Sequence, residues 1–109
     1  MLILQTMRHS PESCPLGNAA NLDTAITWLE NLRPAAARHG ITVLGVWTDR
    51  AGHASHMVFD APSIEAFTRF EISPENIPIL TFNTLDKKIV TSAEETLAFF
   101  KAHRENTRP

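Results

Sequence analysis

The sequence predicts a single α+β domain with its elements in the order βαββαβ and one further helix at the end. Three observations carry this expectation. The chain has 109 residues, enough for one core but not two, since a domain of this size already buries roughly two-thirds of its unfolded surface. Short segments rich in β-branched residues alternate with segments whose apolar residues recur at helical spacing. Proline, glycine and capping residues punctuate the boundaries between them.

Met1 to His9 is apolar on both faces, Leu2 and Leu4 on one and Ile3 and Met7 on the other, as in an interior strand covered on both sides. Ser10 to Asn21 contains Pro11, Pro15, Gly17 and Asn18, and reads as a loop whose length in so small a domain suggests function. Leu22, Ala25, Ile26, Leu29, Leu32 and Ala36 then share one face of a first helix, capped by Asn21 or Asp23, kinked at Pro34 and ended by Gly40. Trp28, at the edge of that stripe, is read as packing.

Ile41 to Asp49 and Ser55 to Asp60 read as a hairpin around Ala51 and Gly52. A two-residue turn there sets Arg50 against His53, Trp47 against His56, Val46 against Met57 and Leu44 against Phe59. Leu44, Val46, Met57 and Phe59 then face the helices, and Trp47, His56, Val58 and Asp60 face the other way. Ser63 caps a short second helix bearing Ile64, Phe67 and Phe70. Asn76 to Thr84, with Ile77, Ile79, Leu80 and Phe82, is expected as the fourth strand, where Pro78 argues for an edge position or a bulge, which fits strand four at the sheet's edge. Thr91 and Ser92, followed by Glu94 and Glu95, open the last helix with a double capping-box signature, and Lys101, His103 and Arg104 suit its negative end. Residues 1–104 make the domain and 105–109 a frayed tail.

Composition narrows the function classes. Hydrophobic residues are 43% and charged residues 20%, so neither disorder nor a membrane span is expected. The net charge is −2 with Lys and Arg scattered, which speaks against a nucleic-acid partner. No Gly-rich phosphate loop, nucleophile elbow or paired-glycine fingerprint occurs, so nucleotide chemistry has no support. The opening residues read as a strand and not as a signal peptide. The single cysteine, Cys14, excludes an internal disulfide and fits a reducing, cytoplasmic setting.

The βαββαβ order is the ferredoxin-like pattern, with a four-stranded antiparallel sheet in the order 4-1-3-2 and helices on one face. The opposite face, expected to carry Ile3, Met7, Trp47 and Val58, is apolar enough to need a cover, and a second copy is the simplest one. In element order, length and facing pattern, Met1 to Phe100 resembles the dimeric α/β-barrel superfamily. His9 to Pro15, with Pro11-Glu12 and Cys14-Pro15, is also similar to a group of small microbial proteins carrying a His, a Pro-Glu and a Cys-Pro after the first strand. The superfamily resemblance implies a homodimer packed sheet to sheet, with a pocket in each barrel half. It also implies a choice among cofactor-independent monooxygenases, lactone isomerases, dehydrochlorinases and haem-degrading or haem-sensing proteins.

An antiparallel pairing of strands one and three brings His9 towards His53 and His56, and Glu12, Cys14, Trp47 and Asp49 share that rim. The leading expectation is an enzyme that needs no cofactor and acts on a small apolar or aromatic molecule, with His56 and His9 moving protons and Trp47, Met7 and Val58 as walls. The alternative is a metal- or haem-binding domain using His9, Cys14 and His56. His53 and His56, three residues apart, can bind one ion together only if His53 belongs to the turn. A structural dimer module without a pocket is the third reading. Cys14 as a nucleophile activated by His9 is weighed against a small, half-buried loop cysteine. His39 and His103 sit at helix ends and stay outside the site.

Overall fold

In the computed structural model, which describes residues 1–108, β1 (Leu2–Arg8) lies between β3 (Ala54–Asp60) and β4 (Thr84–Val90), and β2 (Thr42–Asp49) flanks β3. All three pairings are antiparallel, and the order β2-β3-β1-β4 is the expected 4-1-3-2 counted from the other edge. The described residues also form four α-helices, α1 (Ala19–Ala37), α2 (Ile64–Glu71), the single turn α3 (Ile77–Leu80) and α4 (Ala93–Asn106), besides a short 3-10 turn at Pro11–Ser13. The fold is ferredoxin-like.

Capping residues set most helix boundaries. Asn18 accepts from the Asn21 N–H at 3.1 Å, Ser63 from Ala66 at 3.1 Å and Ser92 from Glu95 at 3.1 Å, each satisfying a donor that the first helical turn leaves free. Helix α1 thus begins three residues before the expected Leu22. Helix α4 extends to Asn106, so Glu105 and Asn106 of the expected tail are helical; Pro109 lies outside the described residues.

One face of the sheet carries the core. Ile3, Met57 and Phe59 pack there against Leu32 and Ala36 of α1 and Phe67 and Phe70 of α2. Phe59, Phe67 and Phe70 form a triangle with centroids 5.1 to 5.9 Å apart, in edge and tilted geometries that favour aromatic pairs. Trp28 is buried in this core, as expected, and its indole N–H donates to Asn76 at 2.8 Å. Lys87 pairs with Glu71 and lies over the Phe67 ring.

Three expectations are corrected. The facing of β1 is the reverse of the one expected: Ile3, Gln5 and Met7 are buried on the helix side, opposite Phe59, Met57 and Ser55, while Leu2, Leu4 and Thr6 point to the open face. Leu44 does not oppose Phe59. A bulge between Val43 and Gly45 moves Val43 into that position and leaves Leu44 exposed, because an extra residue shifts the alternation beyond it. The pairs Val46 with Met57 and Trp47 with His56 are as expected. Finally, Ile77–Leu80 is a helical turn and the fourth strand starts at Thr84. Pro78 has no N–H for a ladder, but a first helical turn does not need one.

Helix α4 has no buried residue, and Leu97, Phe99 and Phe100 are exposed on it. The Cα radius of gyration is 17.0 Å and the chain extends 63 × 31 × 17 Å, against a radius of about 13 Å for a compact domain of this length. Among the described residues no helix is long and apolar enough to cross a membrane.

Candidate functional site

A cavity of about 250 Å³ lies on the helix side of the sheet, where β1 ends and the β2–β3 turn begins. Leu22, Ala25, Ile26 and Leu29 of α1 line it, facing Met7, Thr48 and Ser55 of the strands, with Leu16 and Phe82 contributed by neighbouring loops. Its walls are mainly apolar. His9, Cys14 and His53 line it together.

Each of the three comes from a different segment. His9 follows β1, and its N–H donates to the His53 carbonyl at 3.1 Å, carrying the β1–β3 ladder one step past the strands. Cys14 ends a short 3-10 turn, Pro11–Ser13, which Ser10 caps by accepting from the Ser13 N–H at 3.3 Å. The Cys14 N–H donates to the Pro11 carbonyl at 3.3 Å and the Cys14 carbonyl accepts from Gly17 at 2.9 Å. Asn21 of α1 ties the turn down by donating to the Ser13 carbonyl at 2.8 Å. The long loop is therefore held by its own hydrogen bonds and by the first turn of α1.

His53 ends the four-residue connection Arg50–His53 with φ +53°, the left-handed region that non-glycine residues seldom occupy. The Asp49 carboxylate accepts from the Gly52 N–H at 2.9 Å and fixes the turn just before it. A Cβ on Gly52 would fall 2.3 Å from Asp49 Oδ2, so a larger residue here would displace the carboxylate from its present place. The His9 and His53 rings meet edge to face with centroids 5.3 Å apart.

His9 Nε2 and His53 Nδ1 are buried and have no hydrogen-bond partner among the described residues. One ligand atom each from His9, Cys14 and His53 lies within 4.8 Å of the others. Buried polar atoms are nearly always paired, so the two imidazole nitrogens beside the thiol are free to take a further partner, whether water, ion or ligand.

The residues expected to form one site divide between the two faces of the sheet. His9, Cys14 and Met7 meet at the cavity, whereas His56, Trp47 and Val58 lie on the open face. There His56 Nδ1 shares a hydrogen bond of 3.0 Å with the Thr6 hydroxyl, and the exposed Trp47 indole lies over Gly45, where a Cβ would meet the ring at 2.3 Å. The histidine beside His9 and Cys14 is His53. His53 does belong to the turn, the condition for sharing an ion with His56, yet it lines the cavity with His9 and Cys14 while His56 lies on the other face. Asp49 lines the cavity but spends an oxygen on Gly52, and Glu12 is exposed on the 3-10 turn outside the lining. His39 contacts Phe70 and His103 stacks on Phe99, both away from the cavity. The apolar lip formed by Leu16, Ile26 and Leu29 was not anticipated, because two of these belong to what reads as an ordinary core stripe.

No family model matches the sequence, and no curated protein matches it. Among solved structures the chain is similar to an uncharacterised NIPSNAP domain protein from Burkholderia xenovorans, with a TM-score of 0.55 at 12% identity, over 85% of this chain and 96% of that one. At that identity the likeness concerns the fold alone.

Proposed function

We propose that this chain binds a small, largely apolar molecule in the cavity between α1 and the sheet, with His9 and His53 making the polar contacts. The observation that carries the reading is the meeting of an apolar cavity with two buried, unpartnered imidazole nitrogens. Sites for small molecules combine mostly apolar walls with a few convergent polar groups. The volume, about 250 Å³, is just under the range of roughly 300–1,000 Å³ typical of drug-sized ligands, which favours a smaller molecule. In the enzymatic form of this reading, of the isomerase or cofactor-independent monooxygenase kind, an imidazole takes or gives a proton on the bound molecule.

The test is equilibrium binding of p-cresol, benzoate and cyclohexanol in a Trp47→Phe background, read from the emission of Trp28, which lines the cavity. A saturable change is expected with at least one probe, and Ala25→Phe, which fills the cavity, should weaken it at least tenfold. No saturable change with any of them, or equal binding by Ala25→Phe, overturns the reading.

A second reading has its own support. The open face carries Leu2, Leu4, Trp47 and Val58, α4 exposes Leu97, Phe99 and Phe100, and the chain is far more extended than a closed domain of its length. A homodimer joined through that face, of the dimeric α/β-barrel type, accounts for all three by covering apolar surface that one copy leaves in water. His56, Trp47 and Val58 then belong to the space between the two sheets, where His56 is the candidate acid or base. The His9 to Pro15 segment, which resembles that of the small microbial group named above, brings His9, Cys14 and Pro15 to the helix-side cavity in either case.

A further inference from the structure

We infer that His9, Cys14 and His53 form a three-ligand site for a transition-metal ion of the zinc class, with the fourth coordination position opening into the cavity. The inference rests on the cavity being the functional site, and it names the chemistry of the molecule held there: an apolar body with one donor atom, such as a carboxylate, hydroxyl or thiol, to complete the coordination.

The donor set is the first argument. Two imidazoles and a thiolate suit zinc, copper and their neighbours and suit the hard, oxygen-seeking calcium and magnesium poorly. Three protein ligands with one position left open is the arrangement of catalytic zinc sites, whereas structural sites close with four.

Distance is the second. With Zn–N near 2.0 Å and Zn–S near 2.3 Å, tetrahedral ligand atoms stand about 3.3 to 3.6 Å apart. The three ligand atoms already lie within 4.8 Å of one another, so side-chain rotations that close the set by about 1 Å complete the geometry. Asp49 does not belong to the set, because among the described residues the ligand atoms that lie within 4.8 Å of one another are those of His9, Cys14 and His53 alone. Arg50 also lines the cavity, which favours an anionic donor on the bound molecule.

The third argument is the unpaired nitrogen. A left-handed backbone costs an ordinary residue energy that glycine avoids, yet this position holds a histidine whose Nδ1 is buried and unpaired. The tight hairpin connection sets this backbone, and a metal bond would give the buried nitrogen there the partner it lacks. The hydrogen-bonded loop presents Cys14 without further ordering, which reduces the entropy lost on binding.

The experiment titrates tag-free protein, stripped by a chelator, with Co²⁺ as the spectroscopic probe. One equivalent should give a thiolate-to-cobalt charge-transfer band and the intense visible bands of a tetrahedral ion, and Zn²⁺ should displace it. Cys14→Ser should abolish the charge-transfer band, and His9→Gln and His53→Ala should each weaken cobalt binding at least tenfold, with His53→Gly, which retains the left-handed turn, used if His53→Ala does not fold. His56→Ala on the open face should bind cobalt as the parent does. Benzoate should shift the visible bands of the parent but not of Ala25→Phe. Absence of the charge-transfer band, an unchanged titration in Cys14→Ser or in the His53 variant, or an equal loss in His56→Ala overturns the metal site; an unshifted spectrum with benzoate overturns the open position. Probe binding in the presence of chelator separates the two readings. If it persists while no cobalt site forms, the metal inference alone fails; a cobalt site without any probe binding leaves the cavity reading as the one that fails.

Discussion

On the helix side of the sheet Met57, Phe59 and Phe67 have essentially no exposure, while on the opposite side the Trp47 indole is 58% exposed. Both sides are apolar, and what differs is the cover. Helices α1 and α2 close the first within one chain, and the second meets no layer of helices. The orphaned nitrogens follow the same division. His9 and His53, on the covered side, have buried unpaired atoms, whereas His56, on the open side, already has Thr6 as a partner. A histidine that must act on a ligand is best left unpaired where water is excluded, because there the ligand is the partner that satisfies it. One chain suffices to line the cavity, whereas in the proposed dimer a second copy would cover the open face.

The comparison breaks first at the core. Phe67→Ala should lower stability by about 3–5 kcal/mol in urea unfolding, and a loss under about 1 kcal/mol would mean that the helix side is not the main source of burial. Next comes the open face. Trp47→Glu should change the unfolding of an isolated chain little, yet weaken self-association at least tenfold in sedimentation experiments, since a carboxylate would be buried against its own copy. A parent that sediments as a monomer removes the dimer reading. His53→Gly sharpens the contrast between stability and function. Relief of the left-handed backbone is worth roughly 1–2 kcal/mol and the entropy of the new glycine costs about half to one, so the variant should be as stable as the parent or up to about 1.5 kcal/mol more stable. A clear loss of stability would show that His53 is kept for packing.

The smallest effect concerns neither face. The Glu75 carboxyl is held below its ordinary range by its own backbone N–H and then by Arg38, whose guanidinium lies 2.9 Å away. A lowered folded-state pKa stabilises the folded chain above the unfolded carboxylate value, and that contribution is lost as pH falls through the folded one. Both side chains are largely in solvent, so Glu75→Gln should reduce the melting temperature slightly at neutral pH and not at all in acid. An equal reduction at both pH values would assign the effect to something other than the charge.

Local patterns made much of the framework legible. The caps Ser63 and Ser92 and the hairpin pairs Val46 with Met57 and Trp47 with His56 depend on neighbours a few residues away or on a short turn, so residue type and spacing are enough to read them. The stripe expected on α1 is only partly the buried face, since Leu32 and Ala36 are buried with Trp28 and Ala35 while Leu22, Ile26 and Leu29 are exposed. The four-stranded order then follows from the succession of elements. Three features depend on contacts made across the chain. The facing of β1 was hidden because Leu2 and Leu4 are as apolar as Ile3 and Met7, and the polar Gln5 shares the buried side with the latter pair. Only register against β3 separates the two arrangements, since a one-residue slip exchanges the faces. The bulge beside Leu44 and the left-handed His53 are backbone events that the fold imposes and that neither residue announces. His53 and His56 lie on opposite faces, as residues three apart along a strand do, and His53 shares the cavity with His9 and Cys14. The kinds of residue available for a site can thus be listed from the chain, but which of them share it is decided by backbone geometry that packing sets at long range.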